Sequence, residues 1–407
     1  MRGSKIKFYR DLKMTAREIC KNVYSVGVID WDRQVFDDLL PLPDGTTYNS
    51  YLVQGSEKTA LIDAVESEFE EEFITNLARS DVKKIDYIVV NHTEQDHSGA
   101  IPVFLELFPG AKIITSQKGS ELLKAFLGVP DFRIIVVGDG ETISLGDKTL
   151  EFLITPWVHW PDTMVTYLRE DKILFSCDLF GAHYATGSLF VDDEPMHYIL
   201  AKRYFAGIMM PFRSKVKEHI DRISGYAIDI IAPSHGPMYK DTKYILDAYS
   251  EWSSDKVRNR VIIPYVSMHG STKKMVHYLT ECLIGRGVEV RPYDLGRADT
   301  GRLAMDLLDA ATIIIASPTV LFGPHPKAAN IAFLANILKP KAKFVSIIGS
   351  YGWGGKTVND LSEMIKKLNV EVLNPVYIKG LPDEAAYSDL ETLADDILNK
   401  HKEHSII

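Results

Sequence analysis

Short apolar runs separated by polar junctions fill the first 250 or so positions of the chain. Their length and their content of β-branched and aromatic residues are typical of strands. Helical spacing of apolar positions predicts helices at residues 67–78, 101–108 and 120–126. Because strands dominate and helices lie between them, we expect sheets packed on each other and covered by helices. The strand candidates are YNSYLV, TALIDA, KIDYIVV, AKIITS, RIIVV, LEFLIT, MVTYL, KILFS and AIDIIA.

The pattern changes after EWSSDKVRN at residues 251–259, a polar and charged stretch that predicts a linker. Beyond it, apolar strands and helices alternate regularly, from RVIIPYV to a final helix at residues 389–402. Strict alternation of this kind is typical of a doubly wound parallel sheet, here with about five strands. The sequence therefore predicts an α+β sandwich domain over residues 1–253 and an α/β domain over residues 258–407.

Composition narrows the classes of function. The chain has 407 residues, a length that argues for two domains. Its formal net charge of −9 argues against nucleic acid or an anionic membrane as partner. No apolar run is long enough to span a membrane and the N-terminus lacks a secretory apolar core, so we expect a cytoplasmic protein. Cys20, Cys177 and Cys282 form no CxxC pair, so any metal must be held by nitrogen and oxygen.

One short stretch, NHTEQDHSG at residues 91–99, holds four side chains that could bind metal or move protons. They are His92, Glu94, Asp96 and His97, and they follow the strand KIDYIVV directly. The stretch therefore predicts a loop at the carboxyl end of a strand.

Three further strand candidates end in the same way. His159 follows LEFLIT, Asp178 follows KILFS and His235 follows AIDIIA, each in a loop flanked by Pro or Gly. A single histidine of this kind is more often a satisfied structural residue than a ligand. Loops at one edge of a sheet can converge on one point, however, so the set predicts a metal site built from imidazoles and carboxylates.

A second candidate site lies at the start of the alternating region. In SMHGSTKKM, the hydroxyls of Ser267, Ser271 and Thr272 and the small Gly270 precede a helix whose first amides point at the loop. This arrangement predicts a phosphate cradle, although an ordinary capped turn has the same pattern. It matches neither GxxxxGK[ST] nor GxGxxG.

Two later strand ends, SPTVLFGPHP and SYGWGGK, are small-residue loops that carry apolar or aromatic groups. In a flavodoxin-like sheet such loops flank a ligand ring, and a single phosphate cradle favours FMN over FAD. Residues 319–321 would then line one side of the ring and residues 351–355 the other. The candidate FMN-binding residues are Ser267, Met268, His269, Gly270, Ser271, Thr272, Pro318, Thr319, Val320, Leu321, Gly323, Ser350, Tyr351, Gly352, Trp353, Gly354 and Gly355.

The metal-binding pattern resembles that of the metallo-β-lactamase superfamily, whose αββα sandwich carries an HxHxDH run. Here Glu94 replaces the second histidine, and a carboxylate at that position suits iron better than a zinc hydrolase centre. The resemblance assigns three residues to each of two metals, with Asp178 as the bridging ligand. One set is His92, Glu94 and His159, and the other is Asp96, His97 and His235.

Together with the flavodoxin-like second domain, nearly the whole chain resembles the flavodiiron protein family, also called A-type flavoproteins. The resemblance implies an oxidoreductase that passes electrons through FMN to a non-haem diiron site and reduces dioxygen to water, as oxygen detoxification in an anaerobe. Reduction of nitric oxide to nitrous oxide on the same site is the alternative. It also implies a head-to-tail homodimer or a dimer of dimers, and a proton donor behind the metal ligands at His197 and Tyr198.

The electron donor stays open, because no rubredoxin-like CxxC pairs follow Lys400. A separate rubredoxin, reduced coenzyme F420 (F420H2) or an NADH-linked reductase could each supply the flavin. Two other classes of function compete. One is a lactamase-type hydrolase that uses a metal-bound hydroxide. The other is a flavodoxin-like electron carrier with a degenerate metal domain, which predicts missing ligands.

Overall fold

The computed structural model describes residues 16–36 and 38–407. The chain divides into two compact units, the first ending at Ser253 and the second beginning at Ser254, with residues 206–211 grouped with the second. No helix within the described ranges is both long and apolar enough to cross a membrane.

The first unit contains two main sheets. The larger has seven strands in the order β1-β2-β7-β8-β9-β10-β11, and the smaller has five in the order β12 to β16. The pairs β3–β6 and β4–β5 form two small extra sheets. The strands are β1 (Arg17–Cys20), β2 (Val23–Ser25), β3 (Val28–Asp30), β4 (Val35–Phe36), β5 (Leu40–Pro41), β6 (Thr46–Tyr48), β7 (Tyr51–Gln54), β8 (Thr59–Ile62), β9 (Tyr87–Val89), β10 (Lys112–Thr115), β11 (Ile134–Val136), β12 (Thr142–Ser144), β13 (Thr149–Ile154), β14 (Met164–Leu168), β15 (Ile173–Cys177) and β16 (Ile230–Pro233).

Alternation along the strands of the larger sheet sends side chains into two different cores. Leu61 and Ile88 pack with helix residues such as Phe104 on one face. Ile62 and Val89, their sequence neighbours, pack with residues of the smaller sheet on the other. Strands β8 and β9 are therefore buried on both sides, which explains their continuous apolar sequences. The result is a sandwich of two sheets with helices outside, as expected from the sequence.

The helices of the first unit are α1 (Glu70–Ala78), α2 (Gln95–Ser98), α3 (Ile101–Leu107), α4 (Gln117–Leu127), α5 (Glu194–Tyr204), α6 (Arg213–Ile223) and α7 (Thr242–Ser253). Helix α7 corrects the predicted linker at residues 251–259. The helix continues to Ser253 because Trp252 is fully buried, with its ring against Tyr198, Phe205 and Tyr249. Because most residues of EWSSDKVRN are polar or charged, its sequence did not indicate that Trp252 is buried.

The second unit is a parallel sheet in the order β18-β17-β19-β22, with β23 and β24 both pairing with β22. This is strand order 2-1-3-4-5, that of the flavodoxin-like doubly wound fold. A separate hairpin joins β20 and β21. The strands are β17 (Arg258–Tyr265), β18 (Glu289–Asp294), β19 (Ala310–Ala316), β20 (Thr319–Val320), β21 (Gly323–Pro324), β22 (Phe344–Tyr351), β23 (Glu371–Val372) and β24 (Val376–Lys379).

Helices cover both faces of this sheet, with one core on each. Ile263 and Ile314 pack against α8 and α12, whereas Ile262 and Ile313 pack against α9, α10 and α11. The helices are α8 (Ser271–Gly285), α9 (Thr300–Asp309), α10 (Pro326–Leu338), α11 (Thr357–Ile365) and α12 (Glu384–Glu403).

The last predicted strand, VEVLNPVYI, is divided in the structure. Phe344 and Val345 pair with Glu371 and Val372, but Ile348 pairs with Val376, so one extra residue is accommodated between the two short strands. Pro375 lies in that gap, where its missing N–H would otherwise interrupt the ladder.

Candidate functional site

The four loops that carry the predicted metal ligands meet in the first unit. Asn91 fixes the first of them, because its backbone N–H and side-chain amide donate to Asp63 (both 2.8 Å) while its side-chain oxygen accepts from Thr166 (2.7 Å). These bonds hold Asn91 between β8 and β14, and they fix the direction in which the chain continues from strand β9 to His92. Burial raises the pKa of Asp63 to about 6, against the lowering effect of His97 and of the Asn91 hydrogen bonds.

The first cluster, which we call the Glu94 group, consists of His92, Glu94 and His159. The Oε2 atom of Glu94 lies 3.1 Å from Nε2 of His92 and 3.3 Å from Nε2 of His159. Burial opposes ionisation of Glu94, but these two imidazoles lower its pKa below the ordinary value.

The second cluster, the Asp96 group, consists of Asp96, His97 and His235. Nε2 of His97 lies 3.3 Å from Oδ1 of Asp96, and Nε2 of His235 lies 3.2 Å from Oδ2. Burial disfavours a charged His97, yet the carboxylates of Asp96 and Asp178 raise its pKa to about 10.

Asp178 lies between the two groups and offers one oxygen to each. Its Oδ2 is 3.7 Å from Nε2 of His92 and 3.6 Å from Nε2 of His159. Its Oδ1 is 3.1 Å from Nε2 of His97 and 3.5 Å from Nε2 of His235. The structure thus brings all seven predicted side chains together, with one carboxylate shared between the groups.

The donor set fits two metal ions held by nitrogen and oxygen. Each group, with Asp178 added to the first, places its ligand atoms within 4.8 Å of one another. Both carboxylate oxygens of Asp96, both ring nitrogens of His97 and Oδ2 of Asp178 are buried and make no hydrogen bond. Buried polar atoms are rarely left in this state, because the cost is high, and bound cations would satisfy the three carboxylate oxygens and one ring nitrogen of His97.

Other residues orient the imidazoles, and two of these contacts stand out. Nδ1 of His92 lies 3.2 Å from both oxygens of Asp162, which also accepts from the N–H (2.9 Å) and hydroxyl (2.7 Å) of Thr93. Nδ1 of His235 donates to the carbonyl of Thr47 at 2.6 Å. In each case the other nitrogen, Nε2, is left facing the cluster, as metal-binding histidines require.

The sequence interpretation missed Asp162, Tyr204 and His183. Asp162 stands three residues after His159 in HWPD, a spacing that could have suggested a supporting carboxylate. Tyr204 ends helix α5 and donates its hydroxyl to Oδ1 of Asp178 at 2.9 Å, and burial followed by the charge of Asp178 raises its pKa. His183 lies with its ring 4.9 Å from that of His235.

The contacts of His197 and Tyr198 differ from those expected for a proton donor to the site. The ring of His197 packs against Tyr239, and the hydroxyl of Tyr198 accepts from Nε1 of Trp252. In the structure it is Tyr204, on the same helix, whose side chain contacts Asp178. A residue on a helix has no strand-end pattern to reveal it.

The backbone around Asp178 is strained. Cys177 has φ 52° and Phe180 has φ 72°, both in the left-handed region that costs non-glycine residues about 1 kcal/mol or more. Gly181 follows, where an added Cβ would come within 3.0 Å of Cζ in Tyr204. This sharp, close-packed turn is what places the Asp178 carboxylate between the two groups.

A separate cavity of about 190 Å³ lies at the carboxyl edge of the sheet in the second unit. Most of the predicted FMN residues line it, together with Gly380, which was not predicted. The predicted residues among its lining are Ser267, Met268, His269, Ser271, Thr272, Pro318, Thr319, Ser350, Tyr351 and Gly352.

The cradle at the start of α8 fits a phosphate group. Gly270 caps the helix with φ 93° and supplies no side-chain cap, so the amides of Ser271 and Thr272, the first two of α8, are left for another acceptor. The hydroxyl of Ser267 accepts from the N–H groups of Gly270 and Lys273, each at 3.2 Å, which holds the loop in place.

The remaining predicted FMN residues lie beside the cavity. Gly354 and Gly355 line a neighbouring one with Tyr351 and Lys356. Leu321 and Trp353 are 88% and 70% exposed, and Leu321 and Phe322 both have positive φ at the tip of the β20–β21 hairpin. Gly270, Val320 and Gly323 are also absent from the cavity lining.

Known proteins resemble this chain over both units. Residues 46–236 match a family described as ODP family beta lactamase. A nitric oxide reductase from Moorella thermoacetica is 37% identical over 87% of this chain and 90% of its own length. A rubredoxin-oxygen oxidoreductase from Megalodesulfovibrio gigas is 34% identical over 94% and 98%. A coenzyme F420H2 oxidase from Methanothermobacter marburgensis is 34% identical over 89% and 92%.

Solved structures also resemble this chain over nearly its whole length. Rubredoxin oxygen:oxidoreductase from Desulfovibrio gigas superposes with a TM-score of 0.91 at 32% identity, covering 96% of this chain and 99% of that one. The flavodiiron protein from Giardia intestinalis gives 0.88 at 28% identity, covering 95% and 96%. The predicted fold class is confirmed by these matches.

Proposed function

The chain belongs to the flavodiiron protein family, and we propose that it reduces dioxygen to water at the seven-residue cluster, with electrons received through FMN in the second unit. As a member of this family it is an oxidoreductase that acts on dioxygen or nitric oxide. The observation that carries the proposal is the Asp178 carboxylate, which directs one oxygen to each group of ligands.

The residues that would hold two iron ions are His92, Glu94 and His159 for one, Asp96, His97 and His235 for the other, and Asp178 for both. When bound, the irons and FMN supply the electrons that reduce the gas. All seven residues offer carboxylate oxygen or imidazole nitrogen, which suits iron, and none of them supplies the thiolate of a cysteine-ligated zinc site.

The chain's own residues prepare the site for that chemistry. Asp162 and the Thr47 carbonyl hold His92 and His235 with Nε2 free, so little reorganisation is needed on binding. The hydroxyl of Tyr204 keeps its proton, because its pKa is raised, and donates it in a hydrogen bond to Oδ1 of Asp178. His92, His97, Asp178 and His235 are all buried, which keeps bulk water away from the reacting gas.

For the flavin, we propose that the hydroxyls and amides of Ser267, Ser271 and Thr272 hold the phosphate of FMN. The ring would lie between the loops that begin at Pro318 and Ser350, which line the same cavity. We retain residues 1–253 and 258–407 as the proposed metal and flavin domains.

Reduction of nitric oxide to nitrous oxide is the second candidate activity. It is favoured by the relative from Moorella thermoacetica, which is named a nitric oxide reductase and is more than a third identical to this chain. Both gases are small and neutral, so the same ligands would serve either one.

We also make proposals about the electron donor and the assembly of the protein. The names of two relatives support a rubredoxin or F420H2 as donor, and an NADH-linked reductase is a third possibility. We propose a head-to-tail homodimer in the cytoplasm, in which the flavin of one chain serves the irons of the other. The exposed Leu321, Phe322 and Trp353 beside the flavin cavity give that dimer an apolar contact surface.

Two earlier alternatives lose support. A lactamase-type hydrolase does not account for relatives named oxidoreductases that match over both units. An electron carrier with a degenerate metal domain predicts missing ligands, whereas all seven side chains are present and grouped.

The test is an anaerobic assay of the iron- and FMN-loaded protein, with dioxygen or nitric oxide added in turn and rubredoxin, F420H2 or NADH plus a reductase as donor. We expect consumption of at least one gas, with formation of water or nitrous oxide. A protein that binds zinc without flavin and consumes neither gas with any donor would refute the proposal.

A further inference from the structure

A series of aromatic rings extends from the metal cluster towards the surface of the first unit. Phe180 stands two residues after Asp178, and its ring centroid lies 4.8 Å from that of Tyr249. The centroids of Tyr249 and Trp252 are 5.3 Å apart, and those of Trp252 and Tyr198 are 5.1 Å apart. We call Tyr249, Trp252 and Tyr198 the aromatic chain.

The aromatic chain leads from the interior to solvent. Tyr249 and Trp252 are fully buried, whereas Tyr198 is partly exposed. Tyr244, whose ring centroid lies 6.5 Å from that of Tyr198, is partly exposed as well. Short steps between rings therefore connect the interior of this unit with its surface.

The inner end of the aromatic chain has a second contact with the residues around Asp178. The hydroxyl of Tyr204 donates to Oδ1 of Asp178 at 2.9 Å, and Phe205 follows Tyr204 in the sequence. The ring centroid of Phe205 lies 5.1 Å from that of Tyr249 and 5.5 Å from that of Trp252. Both inner rings of the aromatic chain thus lie one aromatic contact away from a residue at the cluster.

Tyrosine and tryptophan, unlike phenylalanine, give up single electrons to strong oxidants. Nε1 of Trp252 donates to the hydroxyl oxygen of Tyr198 at 3.1 Å, so a hydrogen bond also joins these two oxidisable side chains. A tyrosine that loses an electron also loses its phenol proton, and the partly exposed Tyr198 can release that proton to water. Tyr198 is therefore the residue of the aromatic chain on which an oxidation would come to rest.

The tryptophan beside the metal ligands lacks such a route. The ring centroid of Trp160 lies 5.0 Å from that of His92, and its other ring contacts are with His159 and Phe126. Because phenylalanine does not pass on an oxidation, the path from Trp160 ends there among the residues that the structure describes.

We propose that the aromatic chain supplies single electrons to the metal cluster when the flavin is already oxidised, an inference that rests on the proposed reduction of dioxygen. Dioxygen takes up four electrons and four protons to become two molecules of water, and two ferrous ions alone give two of those electrons. For each missing electron, Trp252 gives one electron to the cluster and regains one from Tyr198, whose phenol proton leaves to water. A small soluble thiol then returns one electron and one proton to Tyr198, and two oxidised thiols join as a disulfide.

The test is electron paramagnetic resonance of the full-length, iron- and FMN-loaded protein, given fewer reducing equivalents than dioxygen needs, mixed with dioxygen and frozen at once. We expect a radical whose spectrum narrows when the protein is made with ring-deuterated tyrosine, which distinguishes it from a flavin radical. Tyr198→Phe and Trp252→Phe should both lose this signal, and glutathione should remove it from the wild type. Tyr226→Phe, the matched control, should keep it, because Tyr226 is also partly exposed but pairs its ring with Tyr167 at 5.2 Å.

Dioxygen consumption at full donor supply separates this inference from the proposed function. All three variants should consume dioxygen as the wild type does, with unchanged iron and FMN contents. Tyr198→Phe keeps its ring, so it decides the test even if Trp252→Phe lowers stability. No tyrosine radical in a wild type that consumes dioxygen, or equal radicals in the wild type and Tyr198→Phe, would overturn the aromatic route alone. A wild type that consumes no dioxygen with any donor would overturn both.

Discussion

The metal cluster and the flavin cavity are built in opposite ways. The cluster consists of buried or partly buried side chains delivered by four separate strand ends, and each carboxylate and imidazole has a neighbour within 4 Å. The cavity is open, lined largely by small residues and backbone, and flanked by exposed apolar side chains. Single substitutions should therefore damage the cluster severely, whereas the cavity should fail only when its shape is changed.

The largest effect is expected from Asp178→Asn, which removes the charge shared by both groups. Iron should be lost from both positions and gas reduction should fall by at least about 100-fold, with FMN content unchanged. Metal analysis and gas electrodes measure the two results. Asp229→Asn is the control, an exposed carboxylate beside the neighbouring strand β16. Full turnover in the Asp178 variant would show that the cluster is not the reaction site.

The converse change is the pair Ser271→Leu and Thr272→Leu at the start of α8. Two bulky apolar side chains would fill the phosphate cradle, so FMN should be released while iron remains bound. Absorbance of the purified protein and metal analysis distinguish the two outcomes. Thr280→Leu, two turns further along the same helix, should keep its flavin. Retention of FMN in the double variant would mean that the cradle lies elsewhere.

A smaller effect is expected at Asp162, which touches the cluster only through His92. Asp162→Asn keeps the shape but removes the charged acceptor of the His92 Nδ1 proton. Iron affinity, measured by competition with a chelator, should fall about 10- to 100-fold at the Glu94 group. Unchanged affinity would mean that strand β9 alone fixes His92.

The smallest expected effect is on the stability of the second unit at acidic pH. Burial lowers the pKa of His401 to about 4, where Nε2 contacts the Thr312 hydroxyl and Nδ1 contacts Asn259 (both 2.8 Å). The unfolded chain protonates this histidine near its ordinary pKa of about 6.5, so the second unit should lose stability as the pH falls from there towards 4. The loss should not exceed about 3 kcal/mol.

Urea unfolding of the holoprotein, followed by release of flavin fluorescence at several pH values, measures that slope. His401→Gln should flatten it, whereas His277→Gln, an exposed histidine on α8, should not. His97 in the cluster behaves in the opposite way, since Asp96 and Asp178 raise its pKa. An identical slope in wild type and His401→Gln would assign the acid sensitivity to another group.

The sequence revealed the cluster better than the cavity, for a physical reason. The ligands of this cluster are all His, Asp or Glu, and their placement after apolar strands distinguishes them in the sequence, as with His159 and Asp178. A flavin is held by backbone groups and by the shape of a cavity, so Gly380 gave no signal and Leu321 was expected inside although it is exposed. Tyr204 and Asp162 act through distant contacts that only folding creates.

In the fold as well, features set by local sequence were predicted, whereas features set by distant contacts were not. Alternating apolar runs predicted both sheets, the doubly wound order and most helices. The end of helix α7, from Glu251, was read as part of a linker because the burial of Trp252 depends on aromatic partners far away in sequence, such as Tyr198. The division of the last strand at Pro375 depends on pairing with β22, which local propensity cannot reveal.

The most direct test of the central claim is anomalous diffraction at the iron absorption edge from crystals of the iron-loaded protein. We expect two iron peaks in the first unit, one beside His92, Glu94 and His159 and one beside Asp96, His97 and His235. Oδ2 of Asp178 should face the first peak and Oδ1 the second. A single peak, or two peaks that do not share Asp178, would contradict the account.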